Sequence, residues 1–177
     1  MTATGAVILG IFAVVWWIAG MLTAGHSAAV VWVIPVIASV MLGAAVTRLR
    51  GASGPVGDAD EKRRNRLVMM WSAAEGVAIF IAINVLVNVG HRKAFVPVVA
   101  LIVGAHFIPL AHGLPARSYY VTAAALIALG VVGLSMPGLA ARVTLVSAGA
   151  AIVLWITAAI VLRRVASLRG QGESALS

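Results

Sequence analysis

Apolar residues fill six stretches of this chain almost without interruption, and polar residues collect between them. The stretches are Gly5 to Thr23, Ala28 to Val46, Leu67 to Val89, Ala94 to Leu114, Tyr119 to Met136 and Val143 to Leu162. Each approaches the length of about 20 residues that crosses a hydrocarbon core. Lipid offers the backbone no water, so an open chain inside it satisfies its N–H and C=O groups only as helix. The pattern therefore predicts an all-α fold, a six-helix transmembrane bundle spanning residues 1–162 as one domain. Four of the five connections are short turns (Ala24 to Ser27, Gly90 to Lys93, Pro115 to Ser118 and Pro137 to Arg142), which force antiparallel neighbours. The fifth, Thr47 to Arg66, carries Gly and Pro first and charge second, as expected of a flexible linker that ends in a helix start. Its acids Asp58, Asp60 and Glu61 then sit where the helix dipole favours them. Residues 163–177 are expected to be a tail, disordered beyond a turn or so. The two halves show no self-similarity of the kind inverted repeats leave.

Composition agrees with the pattern. Apolar residues make up 62% and charged residues 10% of 177 positions, against roughly 45–50% and about 25% in soluble domains. Net charge is +8, but the thirteen basic residues lie between the apolar stretches and not among aromatics on a soluble face. That placement suits lipid headgroups and gives no reason to expect nucleic acid. The absence of cysteine removes disulfides, thiolate metal sites, thioether-linked haem and palmitoylation. The first stretch lacks a basic leader and is as long as a full span, so it is read as a retained helix.

Charge also orients the chain. With a cytoplasmic N-terminus, that side holds Arg48, Arg50, Lys62, Arg63, Arg64, Arg66, Arg117, Arg163, Arg164 and Arg169, and the far side holds only Arg92, Lys93 and Arg142. The positive-inside rule then places both termini in the cytoplasm, in an inner (plasma) membrane. Lys62, Arg63, Arg64 and Arg66 either bind anionic lipid, at about 1 kcal/mol per basic residue, or serve only to fix topology.

Glu75 is the only acid inside any of the six stretches. An ionisable group in hydrocarbon costs at least ~2.5 kcal/mol on insertion scales, and it faces a partner or a water-filled cavity. At ~1.5 Å per residue, Glu75 lies ~12 Å from the cytoplasmic end of the third span and His106 ~10 Å from that of the fourth. Matching depth on consecutive helices predicts that the two interact, each lowering the cost of burying the other. Pro109 has no N–H for the carbonyl of Ala105, so the fourth helix is expected to kink near His106 and present a free acceptor there. Two readings of the pair stay open. One is a site that binds a proton, a cation or a substrate, with Ser72 on the same face as Glu75 and with Tyr119 and Tyr120 as a gate. The other is a polar clasp holding two helices in register, with the tyrosines as interfacial belt residues.

The remaining polar and aromatic positions favour packing. Asn84 is about half a turn out of phase with Glu75 and is read as a helix-packing bond before a ligand. Trp16 and Trp17 either line a cavity or pack against small residues. Ser39 with Gly43, and Gly130 with Gly133, have the spacing for close helix contacts. His106 and His112 are six apart, about 240° around a helix, so they cannot share an ion as an i, i+4 pair does; no metal and no cofactor are expected. Neither a phosphate loop nor a nucleophile elbow occurs, so an intramembrane enzyme using Glu75 and His106 would lack a nucleophile.

The run Gly104-Ala-His-Phe-Ile-Pro-Leu-Ala111 resembles the motif Gly-x-His-Phe-x-Pro-Leu-Ala of an uncharacterised family of small six-helix bacterial membrane proteins. The resemblance implies the fold and carries no activity. The expectation is a small transporter or ion pathway. The alternative is a non-catalytic scaffold or assembly subunit. Membrane lipid and a second copy of the chain are the partners considered.

Overall fold

Six stretches that must satisfy their own backbone become six long helices. The computed structural model describes residues 3–49, 58–114 and 117–174. α1 is Ala3–Thr23, α2 Ala28–Leu49, α3 Asp58–Asn88, α4 Phe95–Gly113, α5 Arg117–Ser135 and α6 Leu139–Ser174, with a single 3-10 turn, Arg92–Ala94, leading into α4. No strand occurs among the described residues, and all six helices are long and apolar enough to cross a membrane. The protein is an all-α integral membrane protein built as a six-helix bundle.

Two helices overrun their apolar stretches. α3 begins at Asp58, so Asp58, Asp60 and Glu61 do occupy its first turn. α6 continues to Ser174, where a disordered tail was expected. Arg, Val, Ala, Ser and Leu follow Leu162 with no glycine until Gly170, and Val165 remains buried, so the helix propagates from the span instead of nucleating afresh. The flexible-linker expectation for 50–57, the turn residues 115–116 and the last tail residues 175–177 lie outside the described residues.

The helices stand in the order α2, α1, α6, α5, α4, α3. α6 is the spine, packed on α1 and α5, and its Val146, Ala150, Ala151 and Ala158 are fully buried. Trp17 belongs to this core, 5.9 Å from Trp155 between ring centres, with its indole N–H donated to the carbonyl of Val30 at 3.0 Å. Small residues bring the backbones together: Gly20 meets Ser147 between α1 and α6, and Gly104 and Gly130 lie on the α4–α5 seam. Gly133 abuts Pro97 and Val146, as the Gly130–Gly133 spacing predicted. Ser39 and Gly43 behave otherwise. Nothing approaches Gly43, and the two residues line an open apolar groove of ≈ 450 Å³ between α1 and α2.

α1 and α3 end alike. Gly25 has φ +76° and Gly90 φ +75°. In each case the glycine N–H and that of the following histidine fold back onto the last turn: Gly25 onto Leu22 and His26 onto Met21, Gly90 onto Val87 and His91 onto Leu86. This is the Schellman geometry, in which a left-handed residue satisfies carbonyls that the helix leaves orphaned. A Cβ at Gly90 would meet nothing within 4 Å, so its requirement is purely conformational. Gly90→Ala is expected to destabilise by ~1–2 kcal/mol, and Gly90→Asn by less, because Asn tolerates this region; thermal unfolding of the purified protein in detergent measures both.

Arg142 fastens the same face. Its Nη1 donates to the carbonyl of Lys93 at 2.9 Å, and its Nε and Nη2 both donate to that of Met136, tying the α5–α6 turn to the start of α4. One of the three basic residues on the charge-poor face is thereby committed to backbone carbonyls.

Candidate functional site

On α3, Trp71, Ala74, Glu75 and Ala78 recur at i, i+3, i+4 and i+7, and on α4 so do Ile102, Ala105, His106 and Pro109. These spacings place each set on one helical face, and the two faces oppose each other across a groove of ≈ 730 Å³ that Ile108 and His112 also line. The alanines make the room: Ala74, Ala78 and Ala105 withdraw side-chain volume where larger residues would close the seam. Among the described residues α3 packs chiefly on α4, and its span buries no residue fully, so the groove lies at the edge of the bundle and faces the bilayer.

Glu75 and His106 meet inside it, with Oε2 3.6 Å from Nε2. That is an ion-pair distance and too long for a hydrogen bond. Both side chains are nearly withdrawn from the surface, His106 at 9% and Glu75 at 15% exposure. The other ring nitrogen of His106, Nδ1, is buried with no hydrogen-bond partner among the described residues. Pro109 sits inside α4, which runs on to Gly113, and the carbonyl of Ala105, a groove residue, lacks its helical donor. The arrangement therefore holds a carboxylate and an imidazole whose Nδ1 has no hydrogen-bond partner among the described residues, in a largely apolar slot. Chemically it can take up a proton or one positive charge.

The two tyrosines separate. Tyr119 is buried, so it is no belt residue, and it stacks edge-to-face on Phe107 with ring centres 5.5 Å apart. It thus supports the residue beside His106 without touching the pair. Tyr120 is exposed and its hydroxyl lies 2.9 Å from His112 Nδ1, which is also 3.2 Å from the carbonyl of Ile108. The shorter contact fits Tyr120 donating to an unprotonated Nδ1. His112 lines the groove at the end of α4, and Tyr120 reaches the groove only through it.

Ser72 does not join Glu75. It is exposed and outside the groove, because it lies about 100° round the helix from Trp71, past the edge of the face that α4 covers. Asn84 also differs from expectation: its Nδ2 donates to the carbonyl of Phe80 on its own helix at 2.8 Å, on an exposed face. No other helix packs there to accept the bond. Sequence reasoning missed His112, which was weighed only as a metal ligand with His106. Six residues place the two on opposite edges of a wide groove, a signal that was present in the spacing of α4. It also missed Thr122, buried and 2.7 Å from Thr157 between α5 and α6.

No three His, Cys, Asp or Glu side chains gather as a metal site would require among the described residues. No protein-family model, no curated protein and no solved structure matches the chain.

Proposed function

We propose that the protein is a small transporter or ion pathway of the inner membrane, in which the Glu75–His106 pair binds and releases a proton or cation. One observation carries this reading. Oε2 of Glu75 stands 3.6 Å from Nε2 of His106, and the buried Nδ1 has no hydrogen-bond partner among the described residues. A buried polar atom left unpaired costs about 1–3 kcal/mol, so a site that keeps one is suited to a ligand that completes it. Both termini are cytoplasmic, which sets the exposed basic residues Lys62, Arg63 and Arg66 at the anionic leaflet below the groove.

A second reading has its own support. Because α3 packs chiefly on α4, a polar tie at Glu75 and His106 is a reasonable device for holding it, and the protein would then be a scaffold with a helix clasp. Flux separates the two. In proteoliposomes, wild-type protein is expected to carry a proton- or cation-dependent flux that Glu75→Gln lowers by at least about 100-fold, the effect of losing ~2.7 kcal/mol of binding, while Glu75→Gln still elutes as folded protein. Absence of flux from wild-type protein, with Glu75→Gln destabilised, would leave the clasp.

A further inference from the structure

The groove has the wrong chemistry for a hydrated inorganic ion and the right one for something larger. A small hard cation takes about six oxygen ligands or more. This slot offers the Glu75 carboxylate as its charged oxygen ligand, and beyond it imidazole and hydrocarbon. Its ≈ 730 Å³, open to the bilayer along the bundle edge, leaves room for an organic molecule. Trp71 adds an aromatic face beside the acid, a surface that attracts an organic cation.

The route of approach follows from the same geometry. The groove opens at the bundle edge between α3 and α4, where Ile108 is 40% exposed, so a ligand reaches it through lipid. From the water on the α2–α3 side, a cation would first pass Lys62, Arg63, Arg64 and Arg66 on the same helix, the last ~14 Å from Glu75. Like charges oppose that approach, whereas a cation with a hydrocarbon body concentrates in the bilayer.

We propose that the α3–α4 groove binds an amphiphilic organic cation, an ammonium group carrying a hydrocarbon body, which enters sideways from the bilayer and pairs its charge with Glu75. The proposal rests on the reading of Glu75 as a cation- and proton-binding group and names its substrate class. The ammonium and the proton compete for one carboxylate: when the cation seats, the proton held by the pair leaves, and when the proton returns, the cation is released. Trp71 and Ile102 contact the hydrocarbon body, and the small side chains of Ala74 and Ala78 leave it space.

The test uses full-length protein in liposomes and a dodecyltrimethylammonium brominated on its chain, which quenches tryptophan on contact. Subtracting the signal of Trp71→Phe isolates Trp71. Quenching of Trp71 is expected to saturate, and its half-saturation to rise at least about tenfold in Glu75→Gln, equivalent to ~1.4 kcal/mol. Ala78→Leu, which fills the slot and leaves the carboxylate, is expected to weaken quenching likewise, and it carries the test if Glu75→Gln does not fold. Brominated dodecyl sulfate is expected to quench Trp71 no more than it quenches the lipid-exposed Trp32. Equal quenching by both headgroups, or a half-saturation indifferent to both substitutions, overturns the proposal. A Glu75-dependent proton flux in the same liposomes without any such quenching would overturn it and leave the transport reading standing.

Discussion

Gly104→Val is expected to abolish recovery of folded protein, and Gly104→Ala to cost about 1–3 kcal/mol, the usual penalty for overpacking a tight interface. A Cβ at this position would lie 2.8 Å from Ile127 Cγ1, 3.0 Å from the backbone nitrogen of Ile127 and 3.1 Å from the carbonyl of Ala123. The first is a side-chain atom that can turn away. The other two belong to the backbone of α5 and move only if the helix does. Gly130 repeats the relation from the opposite side, with its Cβ position 2.8 Å from the carbonyl of Pro97, so α4 cannot tilt away from one contact without changing the other. Valine adds two methyl groups at a point where even the alanine methyl requires a few tenths of an ångström. The α4–α5 seam is the one against which α4 sets its register, and His106 lies two residues beyond Gly104. Thermal unfolding and size-exclusion profiles in detergent measure the effect. Retention of wild-type stability by Gly104→Val would mean that α4 and α5 do not approach this closely.

This seam gives a physical reason for the spacing in Gly104-Ala-His-Phe-Ile-Pro-Leu110. Gly104, Phe107 and Leu110 are buried on the α5 side, while Ala105, His106 and Pro109 line the groove on the α3 side. One helix presents a packing face and a polar face at adjacent positions of the same short run. The packing face requires glycine for close approach, and the other face carries the imidazole at a fixed angle to it.

The six spans, their helical state and the meeting of Glu75 with His106 were legible because each follows from hydrophobicity, rise per residue and the cost of an isolated charge in lipid. The order of helices around the bundle was not, because apolar faces in lipid carry no sign of which neighbour they touch. Ser72 and Asn84 went astray for that reason. Their phase relative to Glu75 was computable, but not that α3 packs chiefly against α4, which leaves Ser72 exposed and Asn84 bonded to its own helix. Ser39 and Gly43 failed alike, since small residues permit contact without demanding it. The extension of α6 to Ser174 was missed because Gly170 and Gly172 were taken as signs of disorder soon after the span, whereas the arginines, Ala166 and Leu168 before them are good helix formers once a span has supplied the nucleus.

Truncating both members of the pair is expected to harm stability less than the sum of truncating each. Glu75→Ala takes the carboxylate away from Nε2 of His106, whose Nδ1 has no hydrogen-bond partner among the described residues, and leaves the ring only the backbone of Trp71 nearby. His106→Ala leaves a carboxylate at 15% exposure in an apolar groove. Each single change therefore orphans a polar group, at about 1–3 kcal/mol. The double variant removes both groups and leaves an alanine-lined slot that lipid can fill. The coupling, measured by unfolding titration of the four proteins in mixed micelles, is expected at about 0.6–2 kcal/mol, the range of interhelical polar contacts in membranes. Glu75→Gln then divides the two roles of the carboxylate. An amide retains a hydrogen-bonding group opposite His106 but takes no proton and balances no positive charge, so stability is expected to stay within about 1 kcal/mol of wild type while flux disappears. If stability falls as far with the amide as with alanine, the charge itself holds α3 to α4, and the pair is a clasp.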